Sequence, residues 1–216
     1  MATKPSGQSY EYVLYGSVSP ANHAALLHRL RGLCTGATTG GSTFTDREIT
    51  YKIEAGAASS KVKVRQSLDA PDAPWLLVYH GQLELGDSSR AAGVRTVVSA
   101  ACSHTLTDCL SYLGFMPIGE LVLKGQVFRK GGVKVLVFTM YQPSDVTDLD
   151  SIQPFSQNYL VELTAFASSS QDRAIDELRN FAEYLKPYPT LPDVLKMSNP
   201  PLWRESECVL VVAVTL

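Results

Sequence analysis

The amino-acid sequence predicts an α+β fold, a mainly antiparallel β-sheet of about eight strands accompanied by three helices. Three observations carry this prediction. Apolar and polar residues alternate in short runs, such as Ile49, Tyr51 and Ile53 against Thr50, Lys52 and Glu54. Helical periodicity is confined to three stretches. Successive strand-like runs follow one another with short connections rich in Gly, Pro, Ser and Asp, as antiparallel pairing allows. The order reads β α ββββ α βββ α. Eight strands suit closure into a barrel, which removes exposed edges, and an open sheet backed by helices fits the same pattern.

Residues 10–18 are rich in β-branched and aromatic side chains and read as the first strand. Ser19-Pro20 then supplies a helix start, with Ser as cap and Pro at the first helical position. Leu26, Leu27, Leu30, Leu33 and Cys34 form the apolar face of that helix, and Gly36 is its stop. Residues 37–45 read as a loop. Strands follow at 48–54, 61–67, 75–81 and 94–101, interrupted by Asp69–Pro74 and by the polar loop Gly86–Arg90.

The second helix covers about 104–113, where Leu106, Cys109, Leu110 and Leu113 share a face, Thr105 with Asp108 resembles a capping box, and Gly114 ends the run. Residues 118–128 and 133–141 flank Arg129-Lys130-Gly131-Gly132 and make the clearest hairpin, its glycines allowing the positive φ of a tight turn. A loop over 142–157 precedes a strand at 158–167. Ser168–Ser170 then leads to a helix with the stripe Ile175, Leu178, Phe181, Ala182 and Leu185, which Pro187 ends. We therefore divide the chain into a flexible N-terminus (1–9), one domain (10–187) and a C-terminal extension of unknown structure (188–216).

Composition narrows the function classes. The chain has 216 residues, 45% hydrophobic and 19% charged, which is globular composition. A net charge of −2 argues against nucleic-acid binding driven by overall charge. Residues 1–135 carry 14 Lys and Arg against 10 Asp and Glu, and residues 136–216 carry 5 against 11, a mild dipole. The four cysteines (Cys34, Cys102, Cys109, Cys208) make no C-x-x-C, and the first three lie among apolar neighbours, as small reduced hydrophobes do. The polar segment Met1–Ser9 is no secretory signal, and no apolar run approaches the ~18 residues of a membrane span, so the expected compartment is cytosol or nucleus.

Catalytic motifs are missing. There is no G-x-S-x-G elbow, P-loop, Rossmann fingerprint or H-E-x-x-H pair, and His23, His28, His80 and His104 share no ligand spacing. No catalytic, cofactor-binding or metal-binding residue is therefore nominated. Two features remain open. Lys61, Lys63 and Arg65 fall on one face of a strand, most simply its water-facing side; lining a lumen, they could hold phosphate. Glu162, set among Leu160, Val161 and Leu163, is either lumenal or outward. Trp75, Tyr79 and Phe128 read equally as core or as contact residues.

Five ordered segments add an independent signal. Leu26–Cys34 (LLHRLRGLC), Ala73–Asp87 (APWLLVYHGQLELGD), Leu106–Phe115 (LTDCLSYLGF), Leu121–Gly131 (LVLKGQVFRKG) and Tyr159–Leu163 with Asn180–Pro187 (YLVEL…NFAEYLKP) together resemble the Mediator subunit 18 family in its animal form. The resemblance covers roughly residues 10–187. It implies a closed, mainly antiparallel β-barrel like the tunnel-fold triphosphatases, and a non-catalytic role in the Mediator head module. The implied setting is the nucleus, where Mediator acts as a coactivator of RNA polymerase II. The implied partners are Mediator subunit 20, as a heterodimer, and the C-terminal helix of subunit 8, with no cofactor.

Tunnel-fold enzymes rely on alternating glutamates (E-x-E-x-K) in their first strand. The corresponding run Tyr10–Tyr15 offers only Glu11. A tunnel-fold phosphohydrolase or polyphosphate binder is the alternative reading. RNA binding through the basic trio and the Arg129-Lys130 turn is a third. The tail after Pro187, ending in the apolar run Cys208–Leu216, departs from the family pattern and bears on the subunit 8 contact.

Overall fold

The alternating runs become strands that pair in a closed ring. A computed structural model describes residues 8–34, 41–56, 58–84, 92–142, 153–167 and 172–188. Its elements are β1 (Gln8–Val18), α1 (Pro20–Leu33), β2 (Ser42–Ala55), β3 (Ala58–Ser67), β4 (Trp75–His80), β5 (Gly93–Cys102), α2 (Leu106–Tyr112), β6 (Met116–Lys130), β7 (Val133–Gln142), β8 (Gln153–Pro154), β9 (Tyr159–Ala167) and α3 (Asp172–Leu185). Neighbours run β6-β2-β3-β4-β5-β1-β9-β7, and β7 pairs back onto β6. Every pairing is antiparallel, so eight strands close a barrel and the open-sheet alternative falls away. The two-residue β8 lies on the end of β7, inside the stretch expected to be a loop.

Helices cover the outside of this wall. Leu26, Leu27 and Leu30 of α1 and the whole predicted stripe of α3 (Ile175, Leu178, Phe181, Ala182, Leu185) are buried in one cluster with Tyr12, Leu14, Val135, Val137, Val161 and Leu163. Because side chains alternate across a strand, residues out of phase with these face the lumen. The short α2 seals a second patch, Leu106 and Leu110 against Tyr51 and Val64. Arg29 of α1 donates to the carbonyls of Leu185 and Lys186, so one helix caps the other's end. No described helix is long and apolar enough to cross a membrane.

Local signals were partly redirected. Gly114 (φ 88°) ends α2 in a Schellman motif, with Gly114 N–H donating to Ser111 O and Phe115 N–H to Leu110 O, at 3.0 and 2.9 Å. The capping box does not form: Thr105 Oγ1 lies 2.7 Å from Ser103 Oγ and caps no backbone amide. Ser19 likewise starts α1 without a side-chain cap. Only Gly131 takes the positive φ (57°) in the β6–β7 turn. The expected loop 37–45 is strand from Ser42 onward, because Phe44 packs inward against Phe138 while pairing opposite Gly125. Cys109 is exposed, contrary to its apolar setting in sequence, whereas Cys34 and Cys102 are half-buried. The Gly36 stop, the Gly86–Arg90 loop, Ser168–Ser170, residues 1–7 and the extension from 189 onward, with Cys208, lie outside the described residues.

Candidate functional site

The lumen is where the chain concentrates buried charge. Glu11 of β1 and Arg95 of β5 stand directly opposite each other, and Arg95 Nε donates to Glu11 Oε2 at 2.5 Å. Both are buried, at 6% and 8% exposure. A second centre lies on β2 and β3, where Glu48, 5% exposed, receives Lys63 Nζ at 2.5 Å and Arg65 Nη2 at 2.6 Å. Burying charge is costly unless each ion is paired and hydrogen-bonded, and these carboxylates meet that condition.

Electrostatic coupling extends across the barrel. Burial pushes the Asp46 carboxyl above its ordinary range, partly offset by Arg65. Lys134 on β7 is pulled below the usual lysine range by burial first, then by Arg65, with Glu162 acting in the opposite sense. Glu162, on β9 opposite Tyr15 and Leu136, is buried in the lumen. One side of the interior is apolar: Leu123, Leu136, Phe138 and Met140 pack with Phe44 and Leu160.

The structure thus places Lys63 and Arg65 on the inner face and corrects the simpler water-facing reading of the trio. In an isolated sheet the charged side of an amphipathic strand turns to water. Here closure and α2 reverse this, because Val62 and Val64 are the residues a helix can bury. Lys61 shares the inward phase, opposite Lys52. Sequence reasoning missed Glu48, Arg95, Asp46 and Lys134 as parts of one constellation. Hairpin arithmetic held a clue, since a turn near residue 57 sets Glu48 opposite Arg65, as observed.

Metal ligation has little to build on: among the described residues no three His, Cys, Asp or Glu side chains converge. On β1 the inward phase after Glu11 passes to Val13 and Tyr15, so the strand lacks the second glutamate of a tunnel enzyme. His23 stacks on Tyr159 at 3.6 Å and His104 on Trp75 at 5.5 Å, both as packing elements. Outside the barrel, Phe128 is core, Trp75 is half-buried, and Tyr79 pairs opposite Val98, each 42% exposed. Tyr112, Leu113 and Met116 form another exposed apolar group at the end of α2.

A closed antiparallel barrel with a charged bore and helices packed outside defines the tunnel-barrel class. The solved triphosphatase of the Mimivirus capping enzyme shares this fold, with a TM-score of 0.52 over 85% of this chain and 92% of that one at 11% identity. A chain of the Schizosaccharomyces pombe Mediator head module aligns with a TM-score of 0.67, covering 83% of this chain and 96% of that one at 14% identity. Within the class, sequence is decisive. The family model described as Med18 protein matches residues 10–71 and 48–197, running past Pro187. The Danio rerio protein named Mediator of RNA polymerase II transcription subunit 18 is 43% identical over 178 residues, 82% of this chain and 85% of that protein. An Aedes aegypti protein of the same name is 41% identical over 180 residues, 82% of this chain and 80% of that protein. The chain belongs to the Med18 family.

Proposed function

We propose that this chain is a non-catalytic subunit of the Mediator head module, acting in the nucleus on RNA polymerase II transcription through protein–protein contacts. The observation that carries the reading is the 43% identity maintained along 82% of the chain. The bore agrees with it: Glu11 and Glu48 are engaged by Arg95, Lys63 and Arg65, which leaves them poorly placed as metal ligands or general bases. The exposed Tyr79–Val98 pair and the Tyr112, Leu113, Met116 group supply apolar surface of the kind that docks partners. The partners in this reading are Mediator subunit 20 and the C-terminal helix of subunit 8.

Co-expression with those two chains, followed by size-exclusion chromatography with light scattering, tests the reading. A stable 1:1:1 species is the expected result. A chain that stays alone, both at full length and when truncated after Pro187, overturns the partner assignment. The barrel's fold also motivates a second reading, a tunnel-type phosphohydrolase. Metal-dependent phosphate release from a nucleoside triphosphate would favour it, and inactivity across several divalent cations would remove it.

A further inference from the structure

The end of β5 leaves a strand edge without a neighbour among the described residues. β5 pairs with β4 from Val97 to Cys102, but its ladder with β1 stops at Gln8, opposite Val98. Ser99–Cys102 therefore have a described strand on one side only. Such an edge presents unpaired N–H and C=O groups to any strand that reaches it. The residues ahead of Gln8 are poorly suited to carry β1 across it: Pro5 lacks the donor a ladder needs, and Gly7 has no side chain to pack. β3 also runs past its ladder with β4, but there it offers Ser59 and Ser60, which give an apolar strand little to bury against.

The β5 edge is apolar on both faces. Val98 and Ala100 point outward, with Tyr79 opposite Val98, while Ala101 points inward with Leu76 opposite it. Tyr79 and Val98 are each 42% exposed and Leu76 36%, and both alanines are exposed as well. A strand added here gains burial on both sides only if its own residues are apolar without alternation. The chain holds such a run outside the described residues. Cys208–Leu216 (CVLVVAVTL) carries no charge, and five of its nine residues are β-branched, which favours a strand. The described chain ends at Tyr188, whose ring lies beneath Arg29 of α1. Residues 189–207 separate Tyr188 from Cys208. Extended, that stretch reaches ~66 Å, more than the ~50 Å of β6, the longest strand, so every point on the barrel is within range.

We propose that Cys208–Leu216 adds as a strand to the β5 edge at Ser99–Cys102 of the same chain, an intramolecular β-augmentation. Alternate tail residues would flank Val98 and Ala100 on the outer face, and the others Ala101 and Leu76 at the rim of the bore. The docked tail closes this edge to strands of other chains and leaves Tyr112, Leu113 and Met116 open. The proposal requires no partner, so it stands or falls separately from the Mediator assignment.

The test is hydrogen exchange of the full chain read by mass spectrometry, with light scattering to record its oligomeric state. A monomer is expected in which the amides of Val209–Thr215 and Ser99–Cys102 exchange about tenfold or more slowly than in an unstructured peptide. Val212→Pro, which removes a ladder donor from the tail, should speed exchange in both segments while the β6–β7 hairpin stays protected. Val98→Asp, at an exposed position on β5, should release the tail in the same way. Fast exchange of the wild-type tail overturns the proposal. So does protection of Ser99–Cys102 that survives Val212→Pro, which would assign the edge to another segment. A dimer whose tail protection rises with protein concentration also overturns it, because the strand would then sit on a second copy.

Discussion

Along β1, the outward residues Tyr12, Leu14 and Val18 are sealed beneath α1 and α3, while inward Glu11 meets Arg95 across the strand pair. The same alternation divides β3, with Val62 and Val64 under α2 and Lys63 and Arg65 on Glu48. One wall therefore separates two cores of different chemistry. The outer layer is held by non-directional apolar burial, which tolerates volume-conserving exchange. The bore is held by directional charge pairs, which fix geometry but contribute little net stability over an apolar replacement. Losing a member hurts either core, for different reasons.

The largest effect is expected from breaking one charge pair. Arg95→Met leaves Glu11 buried and unpaired and should cost about 3–5 kcal/mol in urea unfolding at pH 7. Adding Glu11→Met should restore most of it; a double variant as unstable as the single one would contradict the two-core picture. Next comes the outer layer. Leu178→Ala, at a site with no exposure beneath α3, should cost about 2–5 kcal/mol, and Leu178→Met under about 1.5 kcal/mol.

Lys134→Met is the smallest change and acts in the opposite direction. The lowered pKa means that the folded state disfavours the lysine's charge. That cost is fully present below the folded-state pKa and fades as pH rises toward the ordinary value of 10.5. The variant should therefore be more stable than wild type at pH 7, and its advantage should shrink in urea midpoints taken toward pH 10. An advantage constant over that range would show that packing, not charge, is responsible.

Much of this architecture was legible. The eight barrel strands, the three helices and the stripes of α1 and α3 follow from residue spacing, because periodicity reports which residues share a face. The β6–β7 hairpin was readable for the same reason, with Gly131 marking its turn. The beginning of β2 was not, since Ser42–Thr45 carry weak local preference and become strand only by pairing with β6, some eighty residues on. Gly125 resisted reading too: a methyl there would collide with Val137 O and Phe138 Cα on β7, a closeness no local pattern announces.

The candidate site divides along the same line. That Lys61, Lys63 and Arg65 share a face, and that Glu11 stands without a second glutamate, are properties of the sequence alone, because the two-residue repeat of a strand is local physics. Which face turns inward belongs to the tertiary structure. Ring closure between β6 and β7 creates an interior, and the helices claim the apolar face. The charged face is then left to line the bore, where Glu48, Lys63 and Arg65 meet although alternation by itself would turn them to water.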